Sequence, residues 1–209
     1  MKTLLFPLAV IFSSVAFGQS NRYAAAMKEN LQLLDSATVQ TLHRLTASFE
    51  RIAEAEKTQW LPYYYAALCA YNIGWRVSAQ EKDASAEKSR RFLQKAQALE
   101  NNAELYCMEY MLYIQQMTVD PEQRYLEYGE LADKAAKQAK KTDPANPRIY
   151  LMEAATVMKK PKFLGGGKTN AKPLFEKALS LFAHFQPLSE LHPDWGREQA
   201  VAGLEECGK

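Results

Sequence analysis

Asn102-Ala103-Glu104-Leu105-Tyr106-Cys107-Met108-Glu109 returns as Asn146-Pro147-Arg148-Ile149-Tyr150-Leu151-Met152-Glu153, at an offset of 44 residues from Asn102 to Asn146. The same rhythm extends both ways. Tyr63 lies 43 before Tyr106, and Pro193-Asp194-Trp195 falls 46 after Pro147-Arg148-Ile149. Each copy is preceded by a segment carrying small and aliphatic residues at helical spacing: Phe92, Leu93 and Ala96, then Ala136 and Ala139, then Phe175 and Ala178. Small residues let helices approach closely, and the Asn or Pro that follows stops one segment and opens the next.

Helical periodicity runs through the chain, and no stretch alternates with period two. The spacing predicts helices over 22–34, 38–56, 60–76, 84–99, 103–117, 122–141, 147–159, 170–185 and about 194–206. Asp35-Ser36 is positioned to cap the second. Segments 60–76 and 103–117 are apolar on most faces, whereas 84–99, 122–141 and 170–185 are apolar on one stripe. A one-sided helix covers a core from outside, and one apolar all round must be enclosed by neighbours. Outer and inner helices taking turns along the chain describe a stack of helical hairpins.

The series Ala132, Ala136, Ala139, Pro144, Tyr150 and Ala154, and the stretch Phe175-Glu176-Lys177-Ala178-Leu179, resemble the tetratricopeptide repeat. The resemblance spans residues 38–206. It implies an all-α, short right-handed solenoid of antiparallel helix hairpins, about three and a half repeats plus a capping helix. The offsets exceed the family's usual period of about 34, which implies longer outer helices or loops. Ala67, Tyr110 and Ala154 stand where the family places a Gly. Tetratricopeptide proteins mostly bind peptides or scaffold assemblies, and some exported bacterial members work beside solute-uptake systems.

The chain has 209 residues, 47% of them hydrophobic and 24% charged, with a formal net charge of +2. That is globular composition, too balanced in charge for a dedicated nucleic-acid or membrane-surface binder. Met1-Lys2-Thr3, the apolar run Leu4 to Phe12 and the small residues of Ala16-Phe17-Gly18 have the layout of a cleaved export signal ending before Gln19. Residues 1–18 are therefore read as a signal peptide and 19–209 as the repeat domain, periplasmic or secreted. The uncharged run is too short to span a bilayer, so no membrane span is expected after cleavage. No Cys near the cut marks a lipid-anchored protein. Cys69, Cys107 and Cys207 form no disulfide framework, and the first two sit among apolar neighbours.

Gly165-Gly166-Gly167-Lys168-Thr169 superficially suggests a phosphate loop. Lys162 occupies the position of the required first Gly, and a helix rather than a strand precedes the run. It reads instead as a reversal between helices, with Phe163-Leu164 tucking back over the hairpin. His43, His184 and His192 belong to no metal-ligand pattern, and no nucleophile elbow occurs. No cofactor, no metal and no enzymatic activity are expected. Lys134, Lys137, Lys140 and Lys141, and the cluster Lys159, Lys160, Lys162, Lys168 and Lys172, read as solvated surface, the alternative being a patch for an acidic ligand or anionic surface. His192-Pro193-Asp194-Trp195-Gly196 is expected to cap the last helix through Asp194 and cover the open end of the stack with Trp195.

The eleven tyrosines lie mostly from Tyr63 to Tyr150. In the geometry that the resemblance implies, one side of each inner helix lines a concave face. That places Tyr64, Tyr71, Asn72, Glu104, Gln115, Arg148 and Lys159 there, a mixture of aromatic, amide and charged groups. The first expectation is binding of a protein or peptide partner. The alternative is a small-solute-binding accessory of an envelope uptake system. An open groove of Tyr and Asn would favour a peptide, and a closed site with converging Arg and Glu a solute.

Overall fold

The computed structural model describes residues 13–209, and every regular element among them is helical. The α-helices are α1 (Ser13–Leu31), α2 (Val39–Glu56), α3 (Trp60–Gly74), α4 (Ala79–Gln97), α5 (Ala103–Met117), α6 (Pro121–Thr142), α7 (Pro147–Lys159), α8 (Lys168–Phe182) and α9 (Arg197–Cys207), with a 3-10 turn at Lys162–Leu164. Most of the export segment expected from the sequence, Met1 to Phe12, lies outside the described residues.

Helix boundaries follow side-chain chemistry. Asn102, Asp120 and Asn146 accept from the backbone N–H groups of Leu105, Gln123 and Arg148, and Ser78 with Glu81 forms a capping box. At α2 the cap is Thr38, which accepts from the Thr41 N–H at 3.2 Å, rather than Asp35-Ser36. Thr38 has the extended backbone and the three-residue reach that the cap geometry needs.

α3 packs between α2 and α4, α5 between α4 and α6, and α7 against α8, while α3, α5, α7 and α9 touch one another in sequence. Helices α3, α5, α7 and α9 thus form an inner row, and α4, α6 and α8 lie outside it. Burial follows the same division. Every residue from Leu61 to Ala70 of α3 is buried, whereas α6 buries only Ala132, Ala135, Ala136 and Ala139. The outer helices α4 and α6 run to 19 and 22 residues against 15 for α3 and α5, which accounts for the long repeat offset. Among the described residues no helix is long and apolar enough to cross a membrane.

The reversal after α7 corrects one expectation. Phe163 does not tuck back: it is 86% exposed. The backbone N–H groups of Gly165, Gly166 and Gly167 donate to Lys162, Pro161 and Val157 at 2.9, 3.0 and 2.8 Å, so the glycines fold inward and the 3-10 turn points outward. A Cβ on Gly166 would stand 1.9 Å from the Lys160 carbonyl oxygen, so the close approach requires Gly.

Candidate functional site

Residues four, seven and eleven apart share a helix face. Three such stripes lie on the inner row: Tyr64, Leu68 and Tyr71 on α3, continued by its C-cap residue Trp75; Glu104, Met108, Met111 and Gln115 on α5; Arg148, Met152, Ala155 and Lys159 on α7. Leu68, Tyr71, Met108, Met111 and Met152 belong to one apolar cluster together with Trp195, which places these stripes side by side.

The N-terminal end of the stripes is covered by the chain itself. Residues 183–196, between α8 and α9, return across the inner row as an irregular strap. Tyr65 Oη donates to the Leu191 carbonyl at 2.8 Å, Trp195 Nε1 donates to Tyr64 Oη at 3.0 Å, and His192 meets the Trp60 ring edge-on at 5.7 Å. Lys28 of α1 pairs with Glu190 at 2.6 Å. Leu191 is buried in the same core as α2 and α3.

Arg148 holds the strap from below. It is completely buried, with Nη1 donating to Glu104 Oε1 at 2.8 Å and Nη2 donating to the Pro193 carbonyl at 2.6 Å. Its guanidinium lies 4.6 Å from the Phe185 ring and 5.2 Å from that of Trp195, positions favourable for cation–π attraction. Asn146 Nδ2 also donates to Glu104 Oε1, at 2.6 Å, while Glu104 Oε2 and Arg148 Nε have no protein partner. Burial pushes the Glu104 carboxyl above its ordinary range, outweighing the Arg148 charge and the Asn146 and Arg148 hydrogen bonds. Burial likewise raises the Tyr64 phenol, with Glu104 adding to it.

The C-terminal end of the stripes carries no strap contact. Tyr71 and Asn72 are half-buried, Trp75 is 43% exposed, and Lys159 is exposed. Tyr71 and Trp75 meet edge-on at 6.1 Å, and Lys82 Nζ lies 4.9 Å from the centre of the Trp75 ring. The Tyr71 phenol is pushed up to about 12 by burial, so it stays protonated at neutral pH. Between the two ends lies an apolar floor of Leu68, Met111, Met152 and Ala155, bordered by Trp195.

The seven residues selected from sequence therefore divide. Tyr64, Glu104 and Arg148 come together, but beneath the strap, whose Trp195 indole donates to Tyr64 and whose Pro193 carbonyl accepts from Arg148. Tyr71, Asn72 and Lys159 lie at the uncovered end. Gln115 is fully buried and braces two helices: its Nε2 donates to the Tyr71 carbonyl at 2.9 Å against the flat surface that Gly74 provides. Met111, Met152 and Ala155 escaped the sequence reading because apolar residues on an inner helix look like core. The end of the chain also differs from expectation. α9 starts at Arg197 behind Gly196, and Asp194 and Trp195 belong to the strap. Trp195 reaches back to Tyr64 and Arg148 and also packs on the last-hairpin cluster of Leu151, Phe182 and Ala200.

Among the described residues no cluster of His, Cys, Asp and Glu could hold a metal ion. Cys69 and Cys107 are buried free thiols, raised by that burial, the former to about 12.

No family model and no curated protein matches the chain. Among solved structures it is similar to the HusA haemophore from Porphyromonas gingivalis, with a TM-score of 0.80 and 32% identity over 88% of this chain and 92% of that one. Identity at that level across nearly all of both chains is common descent, and the protein belongs to the family of the HusA haemophore.

Proposed function

We propose that the protein is an exported, non-catalytic haem carrier, the small-solute alternative among the two functions expected from sequence. The similarity to a haemophore along almost the whole chain is the observation that carries this reading. The inner row suits such a cargo. A flat apolar macrocycle fits against Leu68, Tyr71, Met111, Met152 and Ala155, with the Trp195 edge of the strap as a wall. Lys159, on the stripe of Met152 and Ala155, is placed to meet a propionate. The row of hairpins is read as a lengthened tetratricopeptide array, the repeat period matching the helix lengths. The strap lies where a peptide would bind in such an array, and this favours the solute over a peptide partner.

Titration of the protein with haem tests the reading. The expected result is a shifted Soret band and quenched tryptophan fluorescence, since Trp75 and Trp195 flank the floor. Ala155→Arg, which sets a charged side chain over the floor, and Tyr71→Ala are expected to weaken binding at least tenfold with helicity unchanged. No spectral change in the wild type would refute haem binding. Equal binding by both variants would remove the cargo from the inner row.

A further inference from the structure

The turn between α7 and α8 displays an apolar tip inside a strongly basic field. Between Glu153 and Glu176 the chain has no acidic residue and five lysines, 159, 160, 162, 168 and 172, while the whole protein carries only +2. The bordering acids are already engaged, Glu153 with Lys140 at 2.6 Å and Glu176 with Lys172 at 3.9 Å. Among the described residues Lys159, Lys160, Lys162 and Lys168 have no carboxylate within salt-bridge distance. At the centre stand Phe163, 86% exposed, and Leu164, 39% exposed.

One exposed apolar residue on a surface is ordinary. This one is held out by a built turn. Three glycine N–H groups fix the loop, Leu164 N–H donates to the Pro161 carbonyl at 3.0 Å, and Asn170 Nδ2 donates to the Gly165 carbonyl at 3.1 Å. The loop cannot fold Phe163 onto the hairpin without breaking these bonds. A ring held at the tip of the turn among lysines matches an interface that is flat, negative outside and apolar just beneath.

We propose that this turn docks the protein on an anionic phospholipid surface, with Phe163 entering the headgroup–acyl boundary and Lys160, Lys162 and Lys168 facing lipid phosphates. The surface is independent of the haem reading, since no residue of the inner-row floor belongs to it and Lys159 alone adjoins both.

Flotation with vesicles of phosphatidylethanolamine and phosphatidylglycerol, against phosphatidylcholine vesicles, tests the assignment on the full chain. Binding is expected to the anionic vesicles only and to weaken with salt. Each lysine near such a surface is worth about fivefold in affinity, so Lys162→Glu with Lys168→Glu should cost roughly 25-fold or more. Phe163→Ser should weaken binding at least fivefold, and Phe163→Trp should shift its emission to the blue on binding. All three positions are solvent-exposed, so circular dichroism should match the wild type. Absence of wild-type binding to anionic vesicles, or binding unaffected by either variant, would overturn the proposal. Capture of an acidic protein through these residues without vesicle binding would assign the turn to a protein partner and overturn it equally.

Discussion

Replacing Arg148 with Met removes the guanidinium that neutralises Glu104 and grips the Pro193 carbonyl. The variant leaves a carboxylate buried with only Asn146 as donor, and a strap carbonyl without its charged partner. Breaking a buried ion pair from one side costs about 3–5 kcal/mol. For a chain of this size each kcal/mol lowers Tm by about 2–4 °C, so the expected fall is on the order of 10 °C. The double variant Glu104→Leu, Arg148→Met removes both charges and restores apolar volume. It should recover at least about 1 kcal/mol of the single variant's loss, because no bare charge remains in the core. Urea denaturation at neutral pH of the wild type, both single variants and the double variant measures the coupling. A single-variant loss below about 1 kcal/mol, or a double variant less stable than Arg148→Met, would refute the reasoning that the pair's worth lies in mutual neutralisation.

The remaining predictions concern the same carboxyl and the glycine turn. Because burial raises Glu104 above its reference value of 4.5, the folded chain takes up that proton before the unfolded chain does. Its contribution is therefore fully present below the unfolded value and is lost as pH rises through the folded one. Relative to Glu104→Gln, the wild type should gain stability as pH falls from 7 toward 5 in urea titrations, and a difference that is flat or of opposite sign would contradict the assignment. In the turn, Gly165→Ala meets open space at φ +83° and should cost about 1–2 kcal/mol. Gly166→Ala runs into the Lys160 carbonyl and should cost more, with thermal melts of the two giving the order.

The order of the helices and their division into inner and outer rows were legible because they depend on local features, apolar period and small-residue stripes, while several helix ends fell elsewhere than expected. The site was legible only in part. Glu104 and Arg148 were placed on the inner row by the offset of 44 and Tyr64 by the geometry that the repeat resemblance implies, yet nothing periodic in residues 183–196 signals that this segment comes back to cover them. Tyr65 and Leu191 are separated by 126 residues, so their hydrogen bond leaves no local trace. Gln115 resembled a groove amide until Gly74 was seen to admit it between helices. Phe163 resembled a residue to be buried, because hydrophobicity is visible in a sequence and the direction of a turn's N–H groups is not.

The strap also changes how the array comes apart. In an open row of hairpins each unit contacts only its neighbours, so the ends fray independently and unfolding spreads inward. Here the bond from Trp195 to Tyr64 bridges 131 residues, and Glu190 reaches α1. The last hairpin is thereby fastened to the first, and neither terminus can peel away without loosening the other. Such a closed loop trades speed for cooperativity: it folds more slowly than the local helical contacts alone would dictate, and it opens as one unit.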